Sequence, residues 1–197
     1  MDVVEEASEQ VGVLEQWVAP SPLLNRLAVL LDWEGSADAG LDWPALAEAA
    51  GHPFPEDYRR YVERFPPGEI GFLKVLHPHR WAAVEDFLTY AGNWHAVMND
   101  KAEHAGGFPY HFGASPGDLR VWGTVNVDYL LCWHLNDGPP EQWPTVVCDT
   151  AMIDPPERYA GTLTELLVDL AEARNPIPVI GYVTEIEGVP YRFSRYE

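Results

Sequence analysis

Prolines and glycines constrain this chain most sharply between residues 41 and 78, LDWPALAEAAGHPFPEDYRRYVERFPPGEIGFLKVLHP. Asp42 is placed to cap a helix, and Pro44 is tolerated in its first turn because the N–H it lacks has no helical partner there. Trp43, Leu46, Ala47 and Ala50 recur at helical spacing, and Gly51 ends the helix. His52-Pro53-Phe54-Pro55 cannot be helical throughout, since a residue before proline is pushed to extended geometry. Pro55 then opens a second helix, with Glu56 and Asp57 against the positive end of its dipole. Tyr58, Tyr61, Val62 and Phe65 are spaced i, i+3, i+4, i+7, which makes one buried face. Pro66-Pro67-Gly68 stops the helix. Ile70, Phe72, Leu73, Val75 and Leu76 read as one largely buried strand.

Other elements are read the same way. Ser21 and Pro22 start a helix whose apolar face is Leu23, Leu24, Leu27, Leu30 and Leu31. Trp81 to Phe87, with Val84 and Leu88, suits a helix, and Asn93 to Ala105 is helix-compatible. Residues 79–113 form an excursion between the first strand and the main sheet. That sheet is expected over Leu119 to Asp149, with strands at 119–126, 129–135 and 143–148. Thr162 and Glu165 form a capping box, and Leu163, Leu166, Leu167 and Leu170 make one helix face. The expected fold class is α+β: a mainly antiparallel sheet, N-terminal helices, the excursion, and a C-terminal helix. Residues 1–20 are expected to be an acidic arm docked by Trp17, 21–175 the domain, and 176–197 a strand or hairpin packed on it.

Two blocks carry a family resemblance. The first is Trp43, Gly51, Phe54-Pro55-Glu56-Asp57-Tyr58, Gly68 and Leu76-His77-Pro78. The second is Trp122-Gly123, Asn126-Val127-Asp128, Leu131-Cys132-Trp133, Gly138-Pro139 and Trp143-Pro144-Thr145-Val146-Val147. Together they resemble the SUKH superfamily, the Smi–Knr type found in fungal cell-wall regulators and bacterial immunity proteins. The likeness covers roughly residues 23–173. Phe54 stands where the family has leucine, Pro66-Pro67 where it has a Gly-rich turn, and Val127 where it has glycine. A β-branched residue resists positive φ, so the last departure bears on the tight turn. The resemblance implies a single SUKH-like domain in which Trp43, Gly51, Pro55, Asp57, Tyr58, Gly68, Pro78, Trp122 and Gly123 are structural.

Charge narrows the function classes. Lys and Arg number 12 against 31 Asp and Glu, a net charge of −19. Acids outnumber bases at both ends, around a nearly balanced middle. Such a surface repels nucleic acid and favours basic partners, although ordinary solubility also accounts for it. No apolar run approaches the ~18 residues a bilayer span needs. The acidic opening MDVVEEASEQ has the wrong charge for a secretory signal, so cytoplasmic residence and no membrane partner are expected. The two cysteines, Cys132 and Cys148, read as reduced strand thiols.

Candidate chemistry is sparse. His77 and His79 would share one strand face, as a zinc pair needs, but no third ligand is signalled and a strand-end histidine explains them as well. Asp57 beside Tyr58 would serve as a general base, or simply as a helix-start charge. Asp128 near Trp133 would line a pocket, or hold a turn. No nucleophile elbow, phosphate loop or dinucleotide fingerprint is present. The expectation is therefore a non-enzymatic binding protein with no cofactor and no metal. The resemblance implies an immunity protein that neutralises a cognate polymorphic toxin, often a basic nuclease, by direct contact. The predicted contact residues are Asp128, Trp133, Asp137, Glu141 and Trp143, acids to steer the partner and tryptophans to anchor it. A regulator with several partners and a His/Asp metal enzyme are the alternatives.

Overall fold

The computed structural model describes residues 21–37, 40–174, 176–180 and 192–196. The expected arm over 1–20 and much of the expected terminal extension lie outside the described residues. Three helices come first: α1 (Pro22–Leu30), α2 (Trp43–Ala50) and α3 (Glu56–Arg64). Next come β1 (Gly68–Ile70), β2 (Leu73–Val75), the long α4 (Val84–Ala105), then β3 (Leu119–Val125), β4 (Tyr129–His134), β5 (Thr145–Asp149) and β6 (Glu157–Tyr159). α5 (Leu163–Ala171) and β7 (Phe193–Arg195) close the order. The fold is α+β. The strands form one seven-stranded sheet in the order β6-β5-β4-β3-β2-β1-β7, every neighbour antiparallel.

All residues of β3 and of β5 are buried. A strand turns alternate side chains to opposite faces, so these two are covered on both. α4 packs on β3, and α5 packs on α1 and α3. The rings of Tyr58 and Trp133 lie 5.1 Å apart, edge to face, so α3 meets β4 there. β3 carries a bulge at Trp122. Gly123 follows it because a Cβ there would sit 2.9 Å from the Lys74 carbonyl oxygen on β2. Only a residue without a side chain lets the two strands approach so closely.

The stretch from Ile70 to Leu76 corrects the single strand expected of it. It is a hairpin, with Ile70 paired to Leu73 across the two-residue turn Gly71-Phe72. Gly71 has φ +59°, which a glycine at the first turn position supplies without strain. Phe72, counted as buried, is 42% exposed. The helix expected from Trp81 starts instead at Val84 and runs unbroken to Ala105. Val127 does not obstruct its turn, because the β3–β4 connection is three residues long and Asn126, not Val127, takes the positive φ of 51°. Asn tolerates that region where a β-branched residue does not. The capping box of Thr162 and Glu165 is formed on α5. Cys132 and Cys148 are free and buried.

Candidate functional site

The elements of the two tryptophan blocks work inside the fold. Trp43 starts α2 and donates its Nε1–H to Glu63 (3.1 Å), while Gly51 ends that helix with φ 75°. Pro55 is the N-cap of α3, one position earlier than expected. Asp57 accepts the Tyr58 N–H and, across the domain, the Thr164 N–H at the start of α5 (3.1 Å). Burial pushes its carboxyl up from the usual range, and those N–H bonds oppose the shift. It is a clamp between two helix N-termini, where negative charge is favoured. Tyr58 donates its hydroxyl to the Leu76 carbonyl (2.6 Å), tying α3 to the end of β2. Gly68 leaves room for β7, since a Cβ would meet the Ser194 carbonyl at 2.5 Å. Trp122 is fully buried.

His77 and His79 do not share a strand face. The chain turns at Pro78 into a short 3-10 segment, Pro78–Arg80. His77 is buried; its Nδ1 accepts the His79 N–H, so its Nε2 carries the proton and donates to the Val62 and Phe65 carbonyls (3.1 and 3.0 Å). Both ring nitrogens are thus engaged with backbone. Burial lowers its pKa to about 4. Among the described residues no group of three or more His, Cys, Asp or Glu is arranged to hold a metal ion.

The predicted contact set is divided by the structure. Trp133 is buried among Tyr58, Phe54 and Trp122, and Trp143 is buried beside His52 with its Nε1–H donated to the Asn136 carbonyl. Neither is an exposed anchor; both fill the core that the surrounding aromatic residues of the α2–α3 turn require. Asp128, Asp137 and Glu141 are exposed, but Asp128 precedes β4 and the other two follow it. A strand of that length holds them apart by roughly 20 Å, at about 3.3 Å per residue. Glu141 instead accepts the Glu56 N–H at the start of α3 and borders a groove of about 310 Å³ with Trp43, Pro44 and Pro53.

Asp128 belongs to a different assembly. It lies at the end of the sheet where the β1–β2, β3–β4 and β5–β6 connections stand side by side. The Asn126 N–H bonds the Phe72 carbonyl (2.9 Å). The Thr150 N–H and hydroxyl bond the Asp128 and Val127 carbonyls (both 2.8 Å). Phe72, Val127 (71% exposed) and Ile153 (82%) project from these three connections. They are three of the five large apolar side chains found exposed among the described residues. Asp128 and Asp154 are exposed beside them, and Tyr129 donates its hydroxyl to Asp154 (3.0 Å).

The loop that carries Ile153 is fixed from below. Asp149, 9% exposed, accepts the N–H groups of Ala151, Ile153 and Asp154 at 2.8 to 3.0 Å. Burial pushes its carboxyl up, but the three N–H bonds and Lys101 together hold it below the usual carboxylate range. Lys101 of α4 also donates to the Thr150 carbonyl (2.6 Å). The surface is therefore apolar at its centre, acidic beside it, and held in shape by charge-assisted bonds. Sequence periodicity did not reveal Phe72 or Ile153 here; the turn at Gly71 was the available signal for the first.

No family model matches the chain, and no curated protein or solved structure matches it. No helix among the described residues is long and apolar enough to cross a membrane.

Proposed function

We propose that this chain is a non-enzymatic, cytoplasmic binding protein that docks a basic protein partner on the Phe72–Val127–Ile153 end of its sheet. Its motif resemblance to SUKH-type proteins supports the more specific reading of an immunity protein that occludes a cognate polymorphic toxin. One observation carries the proposal: exposed apolar side chains from three separate connections gather beside exposed aspartates on a surface pinned by Asp149. Apolar anchors supply most of the affinity in such contacts, and complementary charge speeds encounter and rejects wrong partners. A surface already ordered loses little entropy on binding. The excess of acid over base in the whole chain adds long-range attraction for a basic partner.

The experiment is neutralisation. The genes flanking the chain's own are read for a toxin domain, any such domain is co-expressed with the chain, and the purified pair is titrated at several salt concentrations. Restored growth, and an affinity that falls as salt rises, are expected. A neighbouring toxin that the chain does not neutralise, or a partner bound without salt dependence, overturns the proposal.

A further inference from the structure

At the opposite end of the sheet lies a cavity of about 670 Å³ whose lining includes Pro66, Pro67, His79, Arg80, Arg195 and Tyr196. Four separate parts of the chain meet there: the α1–α2 connection, the α3–β1 turn, the 3-10 segment after β2, and β7. Its charge runs against that of the molecule. Bases are outnumbered by acids 12 to 31 in the chain, yet among the described residues two arginines line this cavity and no Asp or Glu does. Among the described residues neither Arg80 nor Arg195 makes an ion pair.

The walls are held in place. The Arg80 guanidinium lies 4.5 Å from the centre of the Tyr196 ring and 5.8 Å from that of Trp81, so its head is positioned by two aromatic faces. The Tyr196 N–H bonds the Pro67 carbonyl (3.1 Å). His77 fixes the segment bearing His79 and Arg80 against the end of α3. Arg64 donates to the Gly35 carbonyl and Ala37 to the Glu63 carbonyl, which anchors the stretch carrying Ser36, another lining residue.

We infer that this cavity binds a small organic phosphate monoester. A phosphate monoester carries close to two negative charges at neutral pH, which two guanidinium groups match. Three terminal oxygens accept from two planar guanidinium forks, with the Ser36 hydroxyl and the His79 ring as further polar groups; a carboxylate has only two oxygens to offer. The volume is within the ~300–1,000 Å³ range of small-molecule sites and is too large for phosphate alone. The remaining space, beside Pro66, Pro67 and Ala37, suits an uncharged organic body. This site is independent of the docking surface proposed above and lies at the far end of the strands from it.

The test uses phenyl phosphate as probe, titrated by calorimetry and by its 31P resonance into the full chain at 0.15 M salt, where the Debye length of about 8 Å screens distant acids. Benzoate is titrated in parallel. Saturable one-to-one binding of phenyl phosphate is expected, at least tenfold tighter than benzoate. Arg80→Gln and Arg195→Gln are each expected to weaken it tenfold or more; both side chains are exposed, so the thermal midpoint should hold in Arg195→Gln and fall only slightly in Arg80→Gln, which loses the contacts with Tyr196 and Trp81. Absence of saturable binding, or affinity unchanged in both variants, overturns the site. Benzoate binding as tightly as phenyl phosphate overturns the assignment to phosphate.

Discussion

The two ends of the sheet are built on opposite chemistry. At the end of the β3–β4 turn, exposed aspartates flank Phe72, Val127 and Ile153, and a carboxylate, Asp149, orders the loop beneath them. At the other end, Arg80 and Arg195 line a cavity with no acid among the described residues, and an imidazole, His77, orders the segment beneath them. Each end is thus held by a buried polar group that satisfies backbone. The lesson is that net charge describes the molecule poorly. A chain at −19 can present an acidic surface to one partner and a basic cavity to another, because short separations and screening make local charge decisive.

Both ends hang on the close approach of β2 and β3, and a change there tests whether they are parts of one unit. Gly123→Val would force a side chain against the Lys74 carbonyl, which is backbone and cannot swing away. A loss of about 3 kcal/mol is expected, as for overpacked cores. Urea unfolding would measure it, and reporters at Phe72 and at Tyr196 should lose structure in one transition. Separate transitions would mean that the ends are independent.

Removing the holder of the acidic end comes next in size. Asp149→Ala strips three N–H groups of their acceptor, at a cost of about 2 kcal/mol. Faster amide exchange should be confined to residues 150–154, with the arginine cavity unaffected. Loosening at both ends would erase the contrast drawn between them.

Acid should act on the two ends in turn, the basic end first. The folded-state pKa of His77 is about 4, below its ordinary 6.5, so the unfolded chain takes up the proton first. Its stabilising share is complete above about pH 6.5 and falls as pH drops toward 4, at up to about 1.4 kcal/mol per unit. His52 and His95, lowered to about 4 and about 3 by burial and then by Arg120, add to the same trend. Asp149 has a lowered pKa, so its contribution persists above the unfolded value and fails only at more acid pH. Unfolding curves between pH 7.5 and 5 should show falling stability, and His77→Asn should flatten the slope. A slope unchanged by that substitution would place the acid sensitivity elsewhere.

What the sequence made legible follows the same division. Periodicity and caps exposed α3, the capping box of α5 and the three central strands, because those signals are local. The acidic end was half visible: Asp128 stood out as a turn residue, but Ile153 and Asp149 acquire their roles only when the β5–β6 connection folds back on its own strand. The basic cavity was not visible at all. His79 was noticed for its neighbour His77, whereas Arg80 and Arg195 stand 115 positions apart and meet only because β7 pairs with β1. Trp133 and Trp143 misled in the other direction. A tryptophan suits an interface anchor and a core equally well, and burial alone decides between them.

The smallest effect on stability should be the most telling for function. Ile153→Asp alters a side chain that is 82% exposed and leaves the Asp149 bonds to the loop backbone in place, so stability should change by no more than about 0.5 kcal/mol. Association with a basic partner should nevertheless weaken by at least about tenfold, the signature of an anchor removed from the centre of a contact. Added negative charge by itself would strengthen attraction to such a partner, so the loss isolates the apolar contribution from the electrostatic one. Asp128→Asn supplies the complementary half: it should slow association and reduce its salt dependence while leaving dissociation nearly unchanged. If Ile153→Asp bound as well as the parent chain, the apolar centre would have no part in docking, and charge alone would have to account for it.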